Sequence, residues 1–210
     1  MRLLGIVLAG ELVHGRSQFA AGPQRLSHDW TCRPRLYDGI PSSTMGYNGS
    51  FLGPTIKVYN GENIELITVN NTGESTTIHK HGLHVPGDVD GGPHQRILPG
   101  DQRTDILKIR QEASTNWYHP HFMGTTAEQV HAGLAGLWLV EDANSQALSL
   151  PSEYGIDDIP LIIQDRFFQN RFMSYEAGLN EHKFFGNTIL VNESVGPYKE
   201  VPKGWVILRK

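Results

Sequence analysis

Short stretches of alternating apolar and polar residues, not a 3.6-residue repeat, organise most of this chain. Ile56 and Val58 alternate with polar neighbours, and Ile64, Leu66 and Thr68 do so again after Asn60-Gly61. That arrangement predicts two half-buried strands joined as a hairpin through a type I′ turn. Ser75–His81 reads as the next strand, Thr104–Ile109 as another, with Leu107 and Ile109 on one side and Ile106 and Lys108 on the other, and Asn116–His121 as a third. Between them, Pro86, Gly87, Gly91, Gly92, Pro93, Pro99 and Gly100 exclude a long helix from the span 84–100. Thr125–His131 fits one helical turn or a loop. The nearly unbroken apolar run Gly133–Glu141 predicts a strand buried in the core. Residues 142–156 read as a linker. Ile159–Gln164, Asn187–Val191 and Trp205–Leu208 then predict three more strands.

The expected class is therefore all-β. The domain reading is an irregular lead-in with a weak signal-like start (1–36), a sandwich domain (37–142), a linker (143–156), and an incomplete second sandwich domain (157–210). The last part offers three or four strands where a sandwich domain needs about seven, so it is expected to be the less stable part.

Composition narrows the function without choosing it. The 210 residues carry a net charge of -4 and a mean hydropathy of -0.34, with 23 glycines and 12 prolines suited to many turns. No basic stripe points to nucleic acid, and no apolar run is long enough to span a bilayer. Cys32 is the single cysteine, has no histidine neighbour and reads as an unpaired bystander. Leu3–Ala9 followed by small residues at 20–22 has the outline of a secretory signal, interrupted by Glu11 and His14.

The candidate chemistry lies in histidine. The chain has ten, and seven of them fall within residues 79–131. Four form two triplets, His79-Lys80-His81 and His119-Pro120-His121. On a strand, residues i and i+2 share a face, so each triplet aims two imidazoles the same way, about 6.5–7 Å apart along the backbone. That spacing suits ligands gripping neighbouring ions better than one ion. Neutral imidazole accepts copper, zinc, iron or nickel. Lys80 points away from such a site; His84, His94 and His131 read as solvated loop residues, and Met123 as core or loop filler.

The order and spacing of Thr44-Met45-Gly46-Tyr47-Asn48-Gly49, Leu52-Gly53-Pro54, His79-Lys80-His81-Gly82-Leu83, Val89-Asp90-Gly91-Gly92, Trp117-Tyr118-His119-Pro120-His121 and Gly133-Leu134-Ala135-Gly136 resemble the multicopper oxidases, nearest to the bacterial cuprous oxidase, bilirubin oxidase and laccase-like branch. The resemblance covers about residues 37–210. It implies cupredoxin-like Greek-key β-sandwiches and a trinuclear copper cluster that reduces O2 to water. Electrons come from a phenol, an amine or cuprous ion through a type 1 copper. By position, His79 corresponds to a type 2 ligand. His81 and His119 correspond to ligands sharing one type 3 copper, and His121 to a ligand of the other. Asp90 stands where the family has an acidic proton relay. The resemblance also implies a periplasmic or secreted location.

Departures from the family pattern matter as much. Lys80 replaces an aromatic residue, and Asn192-Glu193 replaces an Asn-Gly turn. Nothing after His131 matches the His-Cys-His triplet of the type 1 site, so the chain by itself is expected to be inactive until a complementary domain or chain completes the cluster. Two other readings fit the same residues: a non-catalytic copper- or zinc-binding module, and a cupredoxin-fold protein without enzymatic activity.

Overall fold

The structure is a computed structural model that describes residues 24–27, 36, 42–181 and 183–210. The signal-like start, Cys32 and most of the lead-in lie outside the described residues. The chain separates into two compact units, one centred on Thr44–Asp142 and one on Ala143–Lys210.

The first unit is a cupredoxin-like β-sandwich. Its strands are β1 (Gln24–Ser27), β2 (Ile56–Tyr59), β3 (Asn63–Val69), β4 (His79–His81), β5 (Gln102–Lys108), β6 (Ser114–His119) and β7 (Gly136–Glu141). One sheet runs β2-β7-β6-β4 and the other β1-β3-β5. Ile56 and Val58, Ile64 and Leu66, Leu107, Tyr118, Trp138 and Val140 meet between the two sheets as a single buried cluster. The alternation in β2, β3 and β5 is the cause, since only every second residue faces inward. Leu107 is buried and Ile106 exposed, as their alternation predicts. In β7, Leu137 to Val140 are all buried, which matches an apolar run without alternation.

The 56–69 hairpin does not form. β2 pairs in parallel with β7, and β3 pairs with β1 and β5, so the two strands lie in opposite sheets. Only Gly61 of the central pair has positive φ, at 97°, where a type I′ turn needs both residues there. The amides of Asn60 and Gly61 instead donate to the carbonyls of Glu141, at the end of β7, and Ile109, just past the end of β5. Asn60-Gly61 is thus a crossing between layers. The apolar alternation is identical in the two cases, because either arrangement buries one face of each strand.

Residues 126–132 form a full short helix, α1 (Thr126–Ala132), stopped at Gly133 with φ 122°. It buries His131 and Gln129. The expectation that His131 is a solvated loop residue is therefore corrected: the 3.6-residue turn carries it inward. His84 and His94 are exposed, and Met123 is exposed at 73%, in a loop.

The second unit consists of small pieces of sheet. A five-residue helix, α2 (Ala143–Ala147), opens it inside the stretch that reads as linker. Strands β8 (Asp158–Pro160) and β9 (Ile163–Arg166) replace the single strand expected at 159–164. Pro160 donates no amide hydrogen, and Ile162 N–H turns aside to the side-chain oxygen of Asn192. Then come β10 (Phe168–Gln169), β11 (Phe172–Met173), β12 (Leu179–Asn180), β13 (Lys183–Phe184), β14 (Thr188–Val191), β15 (Ser194–Val195) and β16 (Ile207–Arg209). β9-β14-β15 make the largest sheet, and β16 pairs in parallel with β8.

Candidate metal centre

β4 and β6 are antiparallel neighbours in a register that sets His79 opposite His119 and His81 opposite Trp117. Three imidazoles therefore leave the same face of one sheet. The intervening residues, Lys80 and Tyr118, face the other way into the sandwich and are fully buried. Tyr118 O–H donates to the carbonyl of Pro54 at 2.7 Å, fixing β6 from below. Its ring fills the space over Gly136, where any Cβ would collide with it.

The rings converge. Centroids of His79 lie 5.2 Å from His81, 5.3 Å from His119 and 5.3 Å from His121, and His81 and His119 are 5.4 Å apart. Ligand nitrogens of His79, His81 and His119 all fall within 4.8 Å of one another. His81 Nδ1 and His119 Nε2 are 3.1 Å apart. His121 lies just past the end of β6 and outside that trio, its ring 5.9 Å from that of His119. The indole of Trp117 stacks on His119 at 3.9 Å and flanks His81 at 5.2 Å, walling the cluster on one side.

His79, His119 and His121 are each held by a second nitrogen or by the backbone. His79 Nδ1–H donates toward the Asp90 carboxylate at 3.0 Å, with the Asp90 carbonyl at 3.2 Å, which leaves Nε2 as the free lone pair. His119 Nδ1–H donates to the Pro120 carbonyl at 2.7 Å, which leaves the Nε2 lone pair turned toward His81 Nδ1. Such a partner on the far nitrogen fixes tautomer and ring orientation in metal-binding histidines. The backbone N–H of His121 donates to Thr77 Oγ1 at 2.7 Å. Gln129 of α1 is fully buried and bonds Thr76, Ser75 and Glu74, tying the helix to the segment that leads into β4.

Asp90 reaches His79 because its loop lies flat on β4. Gly91 has φ 85°, and a Cβ there would run into the carbonyl of Ile78. Only glycine permits both the turn and the approach.

Electrostatics favour the unprotonated form of two rings, His79 and His119. Burial lowers the pKa of His79, offset in part by Asp90, and lowers that of His119 to about 4. A neutral imidazole offers a lone pair; an imidazolium does not.

The four histidines named from the triplets thus lie on one side of the sheet, and Asp90 touches His79 directly. Sequence reasoning missed Thr77, Gln129 and the stacked Trp117. Trp117 was legible as the residue two before His119 on the same strand face. Thr77 and Gln129 act across 44 and 54 residues and left no local signal.

Residues 32–145 match the family model described as multicopper oxidase. The chain belongs to the multicopper oxidase family. It is 44% identical over 177 residues to the multicopper oxidase mco of Staphylococcus aureus, covering 84% of this chain and 39% of that protein. It is 43% identical over 180 residues to the cell division protein FtsP of Escherichia coli, covering 86% of this chain and 37% of that one. Among solved structures, the laccase-like multicopper oxidase CueO of Ochrobactrum sp. superposes with a TM-score of 0.81 at 39% identity, over 88% of this chain and 42% of that one. The laccase of Pediococcus acidilactici gives 0.79 at 32% identity, over 94% and 44%. The chain spans about two fifths of the length of these relatives. Copper is the family's metal, and the donor set fits it: imidazole nitrogens converge, with the tautomers of His79 and His119 fixed for ligation.

Proposed function

We propose that this chain supplies the first-domain half of a trinuclear copper cluster in a multicopper oxidase. His79 holds the type 2 ion, His81 and His119 hold one type 3 ion together, and His121 holds the other. The 3.1 Å separation of His81 Nδ1 and His119 Nε2 carries this reading. Two nitrogens bound at about 2.0–2.1 Å from one ion, the distance typical of imidazole on zinc, sit some 3–4 Å apart.

Bound copper supplies one-electron redox chemistry. The chain's own residues hold, orient and screen. Asp90 keeps the proton of His79 on Nδ1 and, as a carboxylate beside the site, serves as the proton relay. The remaining ligands and the type 1 site come from a complementary domain or chain, since no His-Cys-His occurs in this sequence. The completed enzyme couples oxidation of a phenol, an amine or cuprous ion to reduction of O2, in the periplasm or outside the cell. Among the described residues no helix is long and apolar enough to cross a membrane.

Copper titration of the purified 210-residue chain, followed by spectroscopy and metal analysis, tests the ligand assignment. His81→Ala and His119→Ala are expected to weaken the same ion, and His121→Ala a different one. Loss of unrelated ions from His81→Ala and His119→Ala would overturn the shared-ion assignment. The same chain is expected to show neither a blue absorption band nor oxygen uptake with a phenol.

The trio also favours a second reading, a copper- or zinc-binding module without turnover, because three imidazoles within 4.8 Å of one another can hold a single ion. A stoichiometry of one zinc per chain, lost equally on removing any of the three, supports that alternative.

A further inference from the structure

Lys80 is the residue in this region whose placement the oxidase reading leaves unexplained. Its whole side chain is buried in the sandwich interior, and its ammonium bonds Asp105 Oδ2 at 2.5 Å. Asp105 is equally buried and sits on β5 of the opposite sheet, so the pair bridges the two layers. Arg103 Nε donates to the other carboxylate oxygen of Asp105 at 2.8 Å.

These three residues do more than satisfy one another. Arg103 Nη2 donates to the carbonyl of Asp88 at 2.6 Å. Lys80 Nζ donates to the carbonyl of Val89 at 2.8 Å. Lys80 N–H donates to the carbonyl of Asp90 at 2.9 Å. Three consecutive carbonyls are therefore held: that of residue 88 by the Arg103 side chain, 89 by the Lys80 ammonium and 90 by the Lys80 backbone. The carboxylate of Asp90 emerges on the metal side against His79 Nδ1.

We propose that buried Lys80 and Asp105, with the partly exposed Arg103, form a clamp that positions the Asp88–Asp90 segment, and through Asp90 sets the tautomer and metal affinity of His79. Lys80 faces away from the metal face, yet it is a positioning residue for the site. The inference rests on His79 being a ligand, as proposed above. A buried ion pair is a poor source of net stability, whereas fixed charges aimed at backbone carbonyls define where a loop sits. Removing Asp105 alone strands the buried Lys80, and removing Lys80 alone leaves Asp105 with Arg103 only, so the informative variant removes both.

The test compares wild type, Lys80→Met, Asp105→Leu and the double variant Lys80→Met/Asp105→Leu in the full 210-residue chain. Replacing both charges by apolar groups generally leaves a fold as stable as before, so the double variant decides even where the single variants unfold. In metal-free protein, long-range proton–nitrogen NMR reads the His79 tautomer. The double variant is expected to lose the single Nδ1–H form and show a tautomer mixture. Cupric ion titration is expected to show affinity at the His79 site weakened about tenfold, the usual effect of removing an outer partner of a metal-binding histidine, with the His81–His119 ion unchanged. A folded double variant that keeps the wild-type His79 tautomer and affinity would overturn the clamp. A wild-type chain that shows the fixed tautomer but takes up no cupric ion would overturn the copper reading instead, and the tautomer comparison still decides the clamp.

Discussion

At the scale of single residues, protonation decides what the imidazoles can do. His119 is 5% exposed and its pKa is lowered to about 4 by burial, against 6.5 for a free imidazole. Between those values the unfolded chain holds a proton on this ring that the folded chain does not. The neutral, buried ring therefore contributes stability that is complete above pH 6.5 and is lost as pH falls toward 4. The slope from this one group is at most about 1.4 kcal/mol per pH unit. Urea unfolding of metal-free protein across that range is expected to show it, and His119→Asn should flatten it. An unchanged slope in the variant would assign the effect to another group. Added metal should raise stability by binding the folded form in preference to the unfolded one, and less so as pH falls and protons compete for His119.

At the scale of elements, close approach and turn geometry set what the strands can carry. The Asp90 loop reaches His79 only because Gly91 lies against the Ile78 carbonyl with positive φ. Gly91→Ala combines a backbone clash with strain in the left-handed region, and is expected to destabilise the first unit by about 2 kcal/mol or more. Thermal unfolding checks the stability loss, and a weakened metal site in any folded fraction checks the loop. The opposite sign is expected in the second unit. Asn192 and Glu193 join β14 to β15 with φ of 45° and 72°, positive at both central positions as a type I′ turn requires. Glu193 carries a Cβ where glycine is preferred, so Glu193→Gly is expected to stabilise that unit by about 0.5–1 kcal/mol. Chemical denaturation reads the gain. The departure from Asn-Gly seen in the sequence thus corresponds to a turn of the same geometry built from a less suited residue. At Asn60-Gly61 the sequence suggests such a turn and the chain crosses between sheets instead, because strands in two facing sheets and strands in one sheet bury the same alternating faces.

At the scale of the whole molecule, the two units differ in how much apolar surface they enclose. The first gathers residues from both sheets around fully buried Trp138, Tyr118 and Ile56. The second leaves Ile163, Phe172, Phe185, Ile189, Tyr198 and Trp205 more than half exposed, and its strands form sheets of two or three. Hydrogen exchange is expected to protect amides of 44–142 well beyond those of 143–210. Equal protection would show that the second unit has a core of its own. Exposed aromatic surface of that kind also predicts association at high concentration, visible by light scattering.

Much of the metal centre is fixed by chain-local geometry. A His-x-His on a strand must put both rings on one face, whatever the rest of the protein does, and the glycines and prolines of 84–100 must leave a loop there. The all-β class follows for the same reason, from period-two burial. Tertiary structure alone decided which strands pair, that His131 turns inward on α1, and that Lys80 finds Asp105 across the interior. Those outcomes depend on contacts between residues far apart in the chain. Local pattern records that a residue is buried or exposed, while only the assembled layers record against what.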